Sequence, residues 1–221
     1  EDDDRASTEE TTGSLLGVIV PFMLVVSLLM GTMYPAIDTT AGERERGTLE
    51  TILTLPVTNQ ELIFSKFLTV GTIGVASALL NVLSMGGIGV YLYKLAAQTT
   101  SMVSKIQVSK FVPAILVCCL CILAFAVLIS ALSMCFCVFA KTYKEANNYI
   151  TPLMLLVMFA SFIGFMPNVT LTRNMALVPV ANICLLIRDL LAFKFSFSSI
   201  TIVLFSNVAY GIIAVLVLGK L

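Results

Sequence analysis

The sequence contains no histidine and no tryptophan. Without histidine, a His-based catalytic triad, a His-ligated zinc site and a His proton relay are excluded. Charge is scarce too: Asp, Glu, Lys and Arg make up 12% of the 221 residues, about half of the roughly 25% in an ordinary globular chain. Thirteen Lys and Arg balance thirteen Asp and Glu, so no basic excess marks a nucleic-acid surface. No G-x-x-x-x-G-K-[ST] phosphate loop occurs, which removes that mode of ATP binding from this chain. What remains is apolar. Hydrophobic residues reach 58%, the composition of a polytopic membrane protein.

The few charges punctuate the chain. Uncharged stretches run over Thr11–Ile37, Phe67–Tyr93, Phe111–Ala140, Ala146–Thr172 and Phe195–Gly219. Twenty-five helical residues reach about 37 Å, enough to cross a hydrocarbon core of roughly 30 Å. Lipid leaves a free backbone unsatisfied, and the alternation of a membrane β-barrel is absent, so the stretches predict five helical spans. A sixth apolar stretch, Asn174–Ile187, is bounded by Arg173 and Arg188-Asp189 and contains Pro179. It is too short to span, and Pro167 and Pro179 break helical continuity. It reads as a re-entrant or interfacial helical hairpin, or as a loop helix lying flat on the surface. The fold expected is therefore all-α, a five-span transmembrane bundle with a hairpin before the last span.

The opening residues EDDDRASTEE are acid-rich and read as a solvated tail over 1–12, ahead of a transmembrane domain over 13–221. They do not resemble a signal peptide, and without an initiator Met the chain reads as the later portion of a longer protein. Cys118, Cys119, Cys121, Cys135, Cys137 and Cys184 lie inside apolar stretches and read as small packing residues, with no metal expected. Gly74 with Ala78, and Ala126 with Ser130, have the small-xxx-small spacing that lets helix backbones approach. Asn81, midway along the second span, either lines a substrate path or hydrogen-bonds a neighbouring helix; the second reading is favoured.

The informative segment joins the first two spans: A-G-E-R-E-R-G-T-L-E-T-I-L-T-L-P over residues 41–56. Glu43, Arg44, Glu45 and Arg46 alternate in sign, and Gly47 precedes a short amphipathic helix. Leu49, Ile52 and Leu53 form one narrow apolar face, and Pro56 follows the helix. Thr58-Asn-Gln-Glu61 is a capping box with Val57 and Leu62 as its staple, so the second span begins near Asn59; Lys66 is placed to snorkel to the same interface. An anchoring interfacial helix is one reading. A ridge only three residues wide, rimmed by Glu and Arg, suits a groove on a protein partner better.

This segment, with the following E-L-I-F-S-K-F-L, resembles the coupling-helix region of type-2 ABC exporter permeases, and within them the NatB-type sodium-export permease group. G-T-M-Y-P-A-I-D (31–38) and A-L-V-P-V-A-N-I-C-L-L-I-R-D-L-L (176–191) carry the same resemblance. It implies that Glu43, Arg44, Glu45, Arg46, Gly47, Thr48, Leu49, Glu50, Ile52, Leu53 and Pro56 dock on a separate ABC ATP-binding subunit. It also implies a coupling helix over 48–55 in the cytoplasm and a hairpin over 167–194 on the outer side. The partner ATPase would carry ATP and magnesium, this chain would hold no cofactor, and a second permease copy would complete the transporter in a multi-pass arrangement in a prokaryotic plasma membrane. Members of this group also carry an earlier span and an external domain, so the acidic start would be the end of that domain.

Charge alone does not orient the chain. Arg44, Arg46, Lys66, Lys141, Lys144 and Lys220 fall on one side, and Lys94, Lys105, Lys110, Arg173, Arg188 and Lys194 on the other. For the transported species, the resemblance implies sodium, with a lipid-like, peptide or drug substrate as the broader class. Asp38 and Asp189 sit near span ends, so a sodium site would use neutral oxygens; Asn81, Asn147, Asn148 and Thr151 are the substrate-path candidates. A membrane protease would want a His, or a Lys within the spans, and only Lys66 comes near, so no enzyme activity is expected on this chain. The alternative function is a non-transporting membrane component that uses an ATPase partner for signalling or regulation.

Overall fold

Residues 2–54, 56–99, 108–166, 169–191 and 197–220 are described by the structure, a computed structural model. Among them are helices and short helical turns, and no strands, as a backbone that must satisfy itself in lipid requires. In chain order, α1 is Asp2–Ile37, α2 Glu43–Glu45, α3 Thr48–Leu53, α4 Asn59–Thr99, α5 Val108–Cys137, α6 Tyr143–Ser161, α7 Ala181–Leu191 and α8 Phe197–Leu218. Five stretches are long and apolar enough to cross a membrane: Ile19–Glu45, Asn59–Ser84, Leu116–Cys137, Tyr143–Phe165 and Ser198–Leu218. The five spans are those the uncharged stretches predict, and the second starts at Asn59 as its capping box implies. The first helical stretch runs on past the expected end at Ile37, through the charges to Glu45, because those charged residues find partners inside the protein. The acidic residues from Asp2 onward continue α1 as a helical extension.

Spans α1 and α5 form the centre. Helix α1 packs on α4, α5, α6 and α7, while α5 packs on α8 as well. Both small-xxx-small pairs are buried contacts: Ala78 and Ala126 are covered, as is Ser130. A Cβ built on Gly74 would lie 2.4 Å from Thr32 Cγ2 and 3.0 Å from Ser130 Oγ, and one on Gly31 would lie 2.7 Å from Ser77 Oγ. Only hydrogen fits at either glycine, so α1, α4 and α5 meet backbone to side chain. Hydroxyls at this junction bond within their own helices, Thr32 to Leu29 O at 3.0 Å and Ser130 to Ala126 O at 2.7 Å. They add polarity without exposing a donor to lipid.

Asn81 departs from the favoured expectation. Its Nδ2 donates to Ser77 O on its own helix at 2.8 Å. A backbone oxygen one turn back is always within reach of a short amide. The cysteines are free thiols and serve packing: Cys121, Cys137 and Cys184 are buried, and Cys135 Sγ donates to Ala214 O of α8 at 3.7 Å.

The segment before the last span is folded against the bundle. Tight turns at Phe162–Phe165 and Met175–Leu177 flank α7's approach, and every residue from Ala181 to Ile187 is buried. A helix lying flat on the surface would leave one face open, so the packed hairpin is the form adopted. Residues 167, 168 and 192–194 of the expected hairpin lie outside the described residues. Arg188 closes it, its guanidinium donating to Gly164 O and Met166 O, each at 3.1 Å, and to Val169 O. Phe22 of α1 meets Phe162 and Phe165 with ring centroids 5.4 and 5.6 Å apart. A buried amide pair joins the hairpin to α8: Asn207 Nδ2 lies 3.4 Å from Asn182 Oδ1, and Asn182 Nδ2 donates to Ala176 O at 3.1 Å.

Candidate functional site

The end of the first span does something the sequence does not announce. Between α1 and α2, residues Asp38–Gly42 form a π-helical turn, a single wide turn that holds one residue more than an α-turn. Thr39 Oγ1 donates to Pro35 O at 2.7 Å and Thr40 Oγ1 to Ala36 O at 2.6 Å. These hydroxyls serve carbonyls at the point where the helix changes register. The expected connection is therefore helical over Glu43–Glu45, with α2 continuing directly from the turn and Arg46 closing it.

Each charge of the E-R-E-R run then goes to a different place. Glu43 pairs with Lys66 of α4, and Lys66 Nζ also donates to Thr39 O at 2.7 Å. Arg44 Nη1 donates to Ala140 O, just past the end of α5, at 3.0 Å. The Glu45 carboxylate accepts the backbone N–H of Tyr143, the first residue of α6, at 2.6 Å. Arg46 turns back to Asp38 at the end of the first span, 2.8 Å away. One contiguous run thus holds the ends of four spans. Lys66 does not snorkel outward: its side chain is only 12% exposed, because a carboxylate and a carbonyl receive its ammonium. Losing either partner of such a half-buried pair costs more than an exposed pair is worth.

Past the run, Gly47 has φ +73°, a left-handed conformation that a side chain resists. It ends one helix and starts α3, where Thr48 Oγ1 donates back to Glu43 O at 3.0 Å. Leu49 and Ile52 are half-buried while Glu50 and Thr51 are exposed, so two members of the expected apolar face lie together. The Leu53 side chain and Leu55 lie outside the described residues. Pro56 sits in an exposed bend, and Val57 remains 48% exposed. The capping box forms as expected: Thr58 N donates to Glu61 Oε2 at 2.8 Å, and Glu61 N to Thr58 Oγ1 at 3.3 Å. Helix α4 begins at Asn59.

A second cap was missed from sequence. Glu145 N donates to Thr142 Oγ1 at 3.2 Å, and Lys141 N donates to Glu145 Oε2 at 2.8 Å. The signal was present, since Thr142-Tyr-Lys-Glu145 repeats the Thr-x-x-Glu spacing. With Glu45 on Tyr143, the start of α6 has its free N–H groups met partly by its own residues and partly by the E-R-E-R run.

The substrate-path candidates do not converge. Asn147, Asn148 and Thr151 occupy the first turns of α6, where Asn147 Nδ2 bonds Tyr143 O at 3.3 Å and Thr151 Oγ1 bonds Asn147 O at 2.7 Å. Asn81 lies about 22 Å along α4 from Lys66, and α1 and α5 pack on both α4 and α6. Among the described residues, two half-open hollows lie elsewhere. One of 320 Å³ is wholly apolar, between Val127 of α5 and Gly211 of α8; the other, of 480 Å³, lies between Arg173 and Ser198. Neither is lined by a candidate residue.

Comparison with known proteins bears on this arrangement. The sequence profile of a family described as "ABC-2 family transporter protein" matches residues 2–220. The chain is also similar to the "ABC transporter permease protein NatB" of Bacillus subtilis (strain 168), with 27% identity over 184 residues, covering 82% of this chain and 46% of that protein. The chain thus spans about half the length of this curated relative. No solved structure matches it.

Proposed function

The chain belongs to the ABC-2 family of transporter proteins, and from that premise we propose that it is the permease part of an ATP-driven exporter, docked through residues 43–56 on a separate ATP-binding subunit. As a family member with five apolar spans it is a multi-pass cell-membrane transport component. The finer reading concerns how energy reaches it. ATP and magnesium belong to the partner, and two ATP-binding subunits closing on nucleotide would move two copies of the 43–56 segment.

The observation that carries this reading is the four-way tie. A push on α3 reaches Glu43–Arg46 through Gly47, and these residues hold α4, the end of α5, the start of α6 and the end of the first span. Displacing a single short segment would therefore tilt four spans together, the rigid-body motion that alternating access needs. The capping box at Thr58 makes α4 a stiff lever from its first turn.

Sodium efflux is the substrate reading supported by resemblance to the sodium-export group, and the bacterial relative supports a prokaryotic plasma membrane. The exposed Asn148 and Thr151, in the first turns of α6 beside the tie, are the proposed polar mouth of the path. Flux of sodium and of larger solutes is to be measured in vesicles holding the full permease and its ATP-binding subunit. Leu49→Asp should abolish subunit binding and transport while the spans stay folded. Transport that survives this substitution overturns the coupling reading, and ATP hydrolysis by the intact pair without any solute movement would favour the regulatory alternative.

A further inference from the structure

The four ties change what the 43–56 segment offers a partner. From sequence, the apolar ridge is rimmed by both signs of charge. In the structure Glu43 is satisfied by Lys66, Arg46 by Asp38, Arg44 by a carbonyl and Glu45 by a backbone amide. The run is electrically neutral, and although Arg44, Glu45 and Arg46 are exposed, each of its side chains already has a partner within the bundle. Beyond it, residues 47–65 contain two charged residues, Glu50 and Glu61, and no cation before Lys66. Both are exposed. Glu61 spends its carboxylate on Thr58. Glu50 has no hydrogen bond or ion pair among the described residues. It stands on α3 directly beside Leu49 and within a turn of Ile52, the half-buried ridge.

We propose that this surface selects its partner by charge of one sign: the ATP-binding subunit presents a cationic side chain beside an apolar slot, Leu49 and Ile52 enter the slot, and Glu50 meets the cation. The proposal rests on the docking reading above and adds to it the chemistry of the partner's groove. An acid with no partner at home loses nothing internal when it pairs across an interface. An Arg or Glu of the run would first have to release a span. Recognition and force transfer are thus divided between neighbouring residues, Glu50 for the partner and Glu43–Arg46 for the spans.

The test is titration of the separately purified ATP-binding subunit onto the full permease in nanodiscs at several salt concentrations. Glu50→Gln should weaken binding about 2- to 5-fold and flatten its salt dependence, as expected for one rim ion pair. Glu50→Lys should weaken it more than about ten-fold, because like charges then face each other. Glu50 makes no bond among the described residues, so both variants should purify as the parent does. If Leu49→Asp abolishes binding while Glu50→Lys binds like the parent at every salt concentration, the charge proposal is overturned and the docking reading stands. If the parent permease does not bind the subunit at all, both fall.

Discussion

At one end of the bundle a single run, Glu43–Arg46, reaches four spans through charged side chains; at the other, the described residues between Phe162 and Leu191 are held mainly by buried apolar groups, with one arginine and one buried amide pair. The first end has few links, each made by a long side chain on a backbone group or an opposite charge, and Arg46 and Asp38 stay 65% and 53% exposed. The second end has many contacts of small individual worth, with Ile183, Leu185 and Leu186 fully covered. Few directional links can be cut one at a time and can pass a displacement to a chosen span. Dense packing resists displacement as a unit. The bundle is thus jointed at one end and plugged at the other.

Substitutions can break or sharpen that contrast. The largest effect is expected from Arg188→Ala, which takes the shared donor from three carbonyls at the plugged end; a loss of about 4 kcal/mol should appear as a lower melting temperature in detergent, with amide exchange at 143–145 unchanged. Next comes Lys66→Met, which leaves Glu43 without its cation at a cost of about 3 kcal/mol. Adding Glu43→Gln should recover part of that loss, and a double-mutant cycle with no coupling would refute the joint. Glu45→Ala should cost about 1.5 kcal/mol as a lost helix cap, read as faster exchange of the Tyr143 amide with the α4 end untouched. Smallest is Gly47→Ala, about 1 kcal/mol from the left-handed backbone, measured as a shift in the unfolding midpoint. Were Glu45→Ala to loosen all four span ends equally, the joints would not be independent.

What could be read in advance follows the range of each interaction. The spans were legible because lipid imposes a length on each of them. The Thr58–Glu61 cap was legible because its partners are three residues apart. The Thr142–Glu145 cap has the same spacing, but it lies between Lys141 and Lys144 with no hydrophobic staple pattern to mark it. The E-R-E-R run was visible as a pattern, yet its destinations were not: Arg44 finds Ala140 across 96 positions and Glu45 finds Tyr143 across 98. Nothing in the spacing of four charges specifies whether they face a partner or their own bundle. Arg188 was equally plain as a cation in an apolar stretch, but its targets are backbone oxygens, which no side-chain pattern encodes. Asn81 took the oxygen one turn behind it, since a local acceptor needs no matching neighbour.

The wide turn at Asp38–Gly42 acts as slack in the line of the first span. Removing one residue there, such as Thr40, would let ordinary α-geometry close over the gap with the residues on either side still aimed as before. The same deletion at Leu28, within the tightly packed stretch, would swing everything downstream by about 100° and send all four charges toward the wrong neighbours. Between the packed part of this helix and the charged run, length is therefore negotiable at the wide turn, and related chains that differ by a single residue there should keep the four charges aimed as they are.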